Sequence, residues 1–168
     1  MRRAAALVAI PMLAAVAVAG CGSSSSSSSA SAGSNGAVTA TGNFGAAPKV
    51  TIPAENAAAA LYTKTLIQGT GAPLTTSESL LGNFVLYDWS GTTHKLLGST
   101  FSSGMPTLFA GPLLPGLEKA LIGQKAGSRV LLVIPPALGY GKTGSAQAGI
   151  KGTDTLVFVV DILSATGA

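Results

Sequence analysis

The sequence has one cysteine, one histidine and few charges, and each shortage excludes a class of chemistry. Among 168 residues there are 10 Lys and Arg and 6 Asp and Glu, and aromatic residues make up 5%. With Cys21 alone no internal disulfide can form, so a folded domain must be stabilised by packing. The sequence predicts that His94 lies in a polar turn, and it has no cluster of other metal-ligating residues beside it. An enzyme of this composition would catalyse a reaction that needs no strong acid, base or nucleophile, and we expect no metal or cofactor.

The N terminus has the parts of an export signal in their usual order. Two arginines precede an apolar stretch over residues 4–19, which is shorter than the ~20 residues of a membrane-spanning helix. The stretch ends at Val18–Cys21, whose sequence Val-Ala-Gly-Cys resembles a bacterial lipobox, in which the cysteine receives diacylglycerol. We predict a signal peptide over residues 1–20, lipidation of Cys21 and a lipid-anchored location on the extracytoplasmic face of the cell membrane. A plain signal peptide with an unmodified cysteine and a retained transmembrane helix are the alternatives.

Low-complexity sequence separates this signal from the rest of the chain. Residues 23–29 are seven serines, and small residues continue to about Ala47 with almost no large apolar side chain. Such segments bury too little apolar surface to fold alone and behave as flexible linkers. We predict a tether over residues 21–47 and one domain over residues 48–168. Removal of the signal with its two arginines leaves eight Lys and Arg and six Asp and Glu, a net charge of +2. The sequence has no basic run that would indicate nucleic-acid binding.

The remaining sequence predicts several strands and one short helix. β-branched and aromatic residues favour strands over residues 61–68, 83–89, 129–134 and 155–163. Pro115 in a first turn, leucines at helical spacing and a stop at Gly123 predict a helix over Leu114–Ile122. Because the strands and the helix do not alternate regularly, the sequence indicates an α+β domain with an antiparallel sheet.

Three segments in the second half follow one another in an order and spacing that carry a family resemblance. Leu113–Gly127 begins Leu-Leu-Pro-Gly-Leu-Glu, Ile134–Gly141 reads Ile-Pro-Pro-Ala-Leu-Gly-Tyr-Gly, and Thr155–Leu163 reads Thr-Leu-Val-Phe-Val-Val-Asp-Ile-Leu. Together they resemble the FKBP-type peptidyl-prolyl cis–trans isomerases. The resemblance implies an FKBP-like fold, a curved antiparallel β-sheet wrapped around one short α-helix. It also implies a cofactor-free isomerase that acts on X–Pro peptide bonds.

The resemblance further implies a substrate pocket. Tyr87 and Phe158 would form its aromatic walls. The Leu114 N–H would bond a substrate carbonyl, and Tyr140 would donate its hydroxyl to the peptide, which makes these four the predicted catalytic residues. The residues that would line the substrate site are Leu97, Leu113, Leu117 and Ile150. From composition alone, most large apolar side chains of this kind belong to a core.

Two positions depart from the family pattern. Gly98 stands where the family has a pocket aspartate, and Leu117 stands where it has a floor tryptophan. The segment from Phe101 to Pro112 is short for the family, and Phe109 is the candidate for a second pocket phenylalanine. Two interpretations remain. One is an isomerase that assists the folding of exported proteins at the cell envelope, with X–Pro segments of unfolded or partly folded chains as partners. The other is a binding or chaperone-like module on the same fold with weak or no isomerase activity.

Overall fold

The computed structural model describes residues 35–75, 78–110 and 112–167. Its strands are β1 (Thr39–Thr41), β2 (Lys49–Thr51), β3 (Tyr62–Ile67), β4 (Glu78–Ser90), β5 (Thr93–Ser99), β6 (Thr107–Phe109), β7 (Arg129–Ile134) and β8 (Thr155–Gly167), and its α-helix is α1 (Pro115–Leu121). Short 3-10 helices occupy Asn35–Ala37, Pro136–Leu138 and Gly141–Thr143. The predicted signal peptide, Cys21 and the serine run lie outside the described residues. Within those residues, no helix has the length and apolarity needed to cross a membrane.

Six strands form one antiparallel sheet in the order β3-β7-β8-β4-β5, with β6 paired to β4. The long strands β4 and β8 pair over most of their length at the centre of this sheet. Helix α1 packs on one side, which we call the helix face, and buries Leu117 and Leu121 there. An antiparallel sheet with one short helix confirms the predicted α+β fold class.

Apolar residues cover both faces of the central strands. In β7, Val130, Leu132 and Ile134 pack on the helix face, and Leu131 and Val133 pack on the opposite face. All five are fully buried. Because successive residues of a strand point to opposite sides, this unbroken apolar run requires a cover on each face.

The second cover is the N-terminal hairpin formed by β1 and β2. Val38, Ala40 and Ile52 are buried against Trp89 and Val159 of the sheet, on a side that we call the hairpin face. The prediction that residues 21–47 form a flexible tether is therefore wrong for residues 35–47. Small side chains contribute little apolar area on their own, but they allow a hairpin to approach a sheet closely.

A buried ion pair explains why this hairpin is held in place. Arg129 and Asp161 are buried, and their Nε–Oδ1 and Nη2–Oδ2 distances are 2.5 Å and 2.7 Å. Two further N–H groups of the guanidinium donate to the carbonyls of Gly42 and Ala46, at 3.0 Å and 2.6 Å. The Gly45 N–H donates to Asp161 Oδ2 at 2.7 Å. Since a buried charge needs such partners, the β1–β2 turn supplies groups that the sheet lacks.

Side chains also tie the ends of the N-terminal segment to the domain. Asn35 Nδ2 donates to the carbonyls of Ala58 and Ala60 at 3.0 Å and 2.6 Å. Trp89, buried under the segment, donates its indole N–H to the Glu55 carbonyl at 2.9 Å. Residues 35–60 are thus part of the folded domain, which begins at least thirteen residues before the predicted boundary at residue 48.

Candidate functional site

Six of the eight predicted pocket residues belong to one apolar cluster on the helix face. Three of them are buried and three are half-buried against the buried ones. The buried residues are Leu117, Ile150 and Phe158, and the half-buried residues are Leu97, Leu113 and Leu114. They come from α1, β5, β8 and the loops before α1 and β8, so the fold unites distant parts of the sequence. Their contacts with a substrate stay predictions.

The start of α1 sets the position of two of these residues. Leu114 is the N-cap, Pro115 follows in the first turn, and the Glu118 N–H donates to the Leu114 carbonyl at 3.0 Å. The Leu114 N–H itself precedes the helix and has no intrahelical acceptor. Gly116 is buried, and a Cβ there would overlap the Ile134 side chain. Glycine therefore lets the first turn approach β7 closely.

Tyr87 does not share the pocket with Phe158, and the prediction that it forms an aromatic wall is wrong. In the pairing of β4 with β8, Phe158 stands opposite Leu86, and Tyr87 stands opposite Val157. Val157 belongs to the hairpin-face cluster, and Tyr87 packs against that cluster too. A shift of one residue moves a side chain to the other face of a sheet. Leu86, and not Tyr87, therefore lies on the helix face with Phe158.

His94 lies on the same side as Tyr87. It stands opposite Trp89 in the β4–β5 pairing, and its ring makes an edge contact with Tyr87 at a centroid distance of 6.2 Å. Within residues 35–75, 78–110 and 112–167, no group of three or more His, Cys, Asp and Glu is arranged to hold a metal ion. His94 is thus a hairpin-face residue separate from the pocket.

Two phenylalanines complete the aromatic part of the site. Phe84 meets Phe109 edge to face at a centroid distance of 5.6 Å, and it lies 6.2 Å from Phe158. We call these three residues the aromatic trio. Phe109 was the sequence candidate, whereas Phe84 was missed. The two-residue period of β4 could have found it, because Phe84 and Leu86 occupy one face when Tyr87 occupies the other.

Gly98 faces the aromatic trio. It stands opposite Leu86 in the β4–β5 pairing, and a Cβ at this position would lie 4.0 Å from Phe84 Cε2, an ordinary van der Waals contact. A Cβ therefore fits at the point where the family has a carboxylate. Nothing charged replaces it at position 98, so this wall of the site is apolar.

The β7–β8 loop (residues 135–154) forms the rim. Tyr140 is 38% exposed and lies outside the helix-face cluster, and Ile150 from the same loop is 4% exposed and lies inside it. Backbone hydrogen bonds between Ser145 and Ile150, 2.8 Å and 2.9 Å long, close the tip of the loop. Tyr140 therefore stands where its hydroxyl can meet a peptide from solvent, as the prediction requires, and its role stays a prediction.

A pair of buried carboxyls lies where this loop meets β4. Asp88 and Asp154 are 9% and 3% exposed. Burial raises the pKa of Asp88, and the Asp154 carboxyl raises it further by repulsion and by a hydrogen bond between the two side chains. Lys151 and Lys95 lower that pKa in part. Asp88 Oδ1 is buried without a hydrogen-bond partner among the described residues. The two carboxyls are therefore largely shielded from solvent.

Comparison with known proteins identifies the family. A family model described as FKBP-type peptidyl-prolyl cis-trans isomerase matches residues 76–163. The chain belongs to this family. The FK506-binding protein of Streptomyces anulatus is 28% identical over 120 residues, which cover 70% of this chain and 95% of that protein. The probable FK506-binding protein of Corynebacterium glutamicum is 30% identical over 119 residues, which cover 70% of this chain and 98% of that protein.

Solved FKBP-family structures agree with the fold. The crystal structure of FkpA from Escherichia coli superposes with a TM-score of 0.57 at 30% identity, over 64% of this chain and 49% of that chain. The peptidyl-prolyl cis-trans isomerase from Pseudomonas syringae gives 0.55 at 23% identity, over 63% and 75%, which supports the fold alone. FKBP-family homologues, FkpA among them, are named peptidyl-prolyl cis-trans isomerases. The predicted enzyme class is thereby confirmed. The FKBP family match begins at residue 76, so the N-terminal hairpin lies outside it.

Proposed function

We propose that this FKBP-type isomerase catalyses X–Pro isomerisation in exported proteins at the cell envelope, held to the membrane by a lipid on Cys21. The observation that carries the catalytic part is the helix-face cluster, in which Leu114, Ile150 and Phe158 pack together, and to which the loop that bears the exposed Tyr140 contributes Ile150. The N-terminal signal and its Val-Ala-Gly-Cys ending support the location. Proline isomerisation takes tens of seconds without a catalyst, so newly exported chains are suitable substrates.

The apolar pocket suits this reaction. Rotation about a peptide bond crosses a barrier of ~18–20 kcal/mol because the twisted state loses amide resonance. The twisted carbonyl is less charge-separated than the planar one, so an apolar environment stabilises it relative to the ground state. The aromatic trio and Leu117 supply that environment. The Leu114 N–H and the Tyr140 hydroxyl would hold the peptide on either side of the rotating bond.

The alternative is a peptide-binding module with weak catalysis. Two features favour it, the missing carboxylate at Gly98 and the leucines at positions 86 and 117, which provide less contact area than aromatic side chains. Both interpretations require the apolar pocket, so only turnover separates them.

A matched pair of tyrosine variants tests the catalytic assignment. We expect Tyr140→Phe to lower kcat/KM on a short X–Pro peptide about two- to tenfold, the effect of one lost hydrogen bond. Tyr87→Phe should leave kcat/KM unchanged, because Tyr87 lies on the hairpin face. The measurement is a protease-coupled or NMR exchange assay with the full chain in mild detergent. Equal losses in the two variants would contradict the assignment. A wild-type rate at the uncatalysed background, with peptide binding retained, would favour the binding module.

The location is tested at Cys21. We expect the wild-type chain to fractionate with membranes and to carry a diacylglycerol-modified N terminus at Cys21 in mass spectra. Cys21→Ala removes the thiol and should shift the protein out of the membrane fraction or leave it unprocessed. Ser23→Ala, two residues further on, is the control and should behave as wild type. Equal membrane association of the Cys21→Ala variant and wild type, together with an unprocessed wild-type chain, would exclude lipidation.

A further inference from the structure

The pocket rim next to the β7–β8 loop carries a lysine from the sheet. Lys95 of β5 stands opposite Asp88 of β4, and Asp88 stands opposite Leu156, a member of the helix-face cluster. Directly opposed residues of antiparallel strands point to the same side of a sheet. Lys95 is exposed, so its side chain extends into solvent from the helix face.

The loop adds two more lysines. Lys151 follows the buried Ile150, and Lys142 follows the exposed Tyr140 by two residues. The Lys142 carbonyl lies so close to Gly152 that a Cβ on this glycine would overlap it. The two limbs of the loop are therefore in contact, and they place both exposed lysines beside the residues that would meet the substrate.

The carboxyls at this end of the pocket do not cancel the lysines. Asp88 and Asp154 are buried, so neither carboxyl is displayed at the surface beside the lysines, and Asp154 Oδ2 also accepts the Lys151 N–H at 2.7 Å. Even if both are ionised, Lys95, Lys142 and Lys151 leave an excess of positive charge. The pocket carboxylate that could add a compensating charge is replaced by Gly98.

We infer that Lys95, Lys142 and Lys151 form a basic rim that selects X–Pro segments with an acidic side chain near the proline. The inference rests on the proposed isomerase function and names its substrate class. An acidic residue two positions before or after the proline would reach the basic rim while the proline occupies the apolar pocket. Because the lysines are exposed, the preference should be modest and should weaken as salt is added.

Peptide pairs that differ by one charge test the inference. The substrates are short X–Pro peptides with Glu or Gln two residues before the proline, and a second pair with the change two residues after it. The full chain in mild detergent is compared with the triple variant Lys95→Gln, Lys142→Gln, Lys151→Gln. A control triple, Lys49→Gln, Lys64→Gln, Lys125→Gln, removes the same charge from β2, from β3 and from the segment before β7. All six lysines are exposed.

At low salt, we expect wild type to isomerise one of the Glu peptides about two- to fivefold faster than its Gln partner, in kcat/KM. The rim triple should bring this ratio close to one, and the control triple should keep it. Equal rates for both pairs in wild type, or a ratio that survives the rim triple, would overturn the inference. If no peptide is isomerised above background, the proposed function fails instead. Equilibrium binding of the same peptides, measured in parallel, then tests the inference. Tighter binding of a Glu peptide than of its Gln partner, lost in the rim triple, would support the inference, and equal binding would overturn it.

Discussion

Replacing Asp161 with asparagine is expected to lower the free energy of unfolding by about 3–5 kcal/mol. The substitution leaves the Arg129 guanidinium buried on the hairpin face without its counter-charge. It also weakens the bond from the Gly45 N–H to the carboxylate, which joins the β1–β2 turn to the sheet. Trp89 is the only tryptophan in the sequence and lies under the N-terminal segment. Its fluorescence in a urea titration therefore measures the loss of stability of the sheet and of the hairpin that covers it.

Two further variants separate charge burial from a general effect of substitution. Glu118→Gln removes a carboxylate from the exposed side of α1 and should change the free energy of unfolding by less than about 0.5 kcal/mol. The double variant Arg129→Met, Asp161→Leu removes both charges and should recover part of the loss, because apolar residues can replace a buried ion pair. A free energy of unfolding for Asp161→Asn within about 1 kcal/mol of wild type would show that the ion pair does not hold the hairpin on the sheet.

Alanine at Gly152 is expected to reduce kcat/KM about tenfold or more while leaving the sheet folded. The new Cβ would overlap the Lys142 carbonyl and lie 3.0 Å from the Lys142 Cα, so the two limbs of the β7–β8 loop must separate. Ile150 then leaves the pocket, and Tyr140 moves with the other limb. A tenfold loss corresponds to about 1.4 kcal/mol of transition-state stabilisation. The measurements are peptide isomerisation and Trp89 fluorescence in urea.

Gly149→Ala is the matched control for this loop. Gly149 has a φ of 69°, but no atom lies within 4 Å of the added Cβ. The variant carries the backbone strain of a left-handed alanine, about 1–2 kcal/mol, without a collision between the limbs. Its kcat/KM should therefore fall less than that of Gly152→Ala. The prediction fails if Gly152→Ala retains wild-type activity or if Gly149→Ala is the more damaging change.

Much of the fold could be predicted because strand and helix signals are local, whereas the pocket residues were predicted from the family resemblance. The strand β7 has its predicted bounds, β8 begins as predicted and continues four residues further, and α1 begins one residue later and ends one residue earlier than predicted. The residues around α1 and β8 were assigned to one site because three segments follow the order and spacing of the family. Leu114 and Phe158, which belong to the same helix-face cluster, are 44 positions apart in the sequence, so no local signal could have brought them together.

The wrong or missed site residues are those whose position depends on the pairing of strands that are distant in the sequence. The face on which Tyr87 lies depends on the register of β4 against β8, and a register shift between Leu86 and Tyr87 in the β4–β5 pairing adds to the ambiguity. The sequence near Tyr87 cannot show which of two adjacent residues points inward. Phe84 was missed for the same reason.

The N-terminal hairpin was missed because its strands are only three residues long and carry little apolar area, although their threonines and valine favour strands. A signal was nevertheless present in the strands that it covers. The unbroken apolar runs of β7 and β8 indicate strands covered on both faces, and one short helix can cover only one of them. The polar groups that stabilise the hairpin are backbone atoms of residues 42–46, which carry no signature in the sequence.

The hairpin also determines which way an anchored molecule would point. Asn35, where the described chain begins, is tied to Ala58 and Ala60 in the segment that covers the hairpin face, and the pocket lies on the opposite side of the sheet. With a lipid on Cys21, the attachment would leave from the side away from the substrate site. Asn35 lies fourteen positions after Cys21, which gives a maximum reach of roughly 46–50 Å. The anchored isomerase would then present its substrate site on the side away from the anchor, to chains within that reach of the membrane surface.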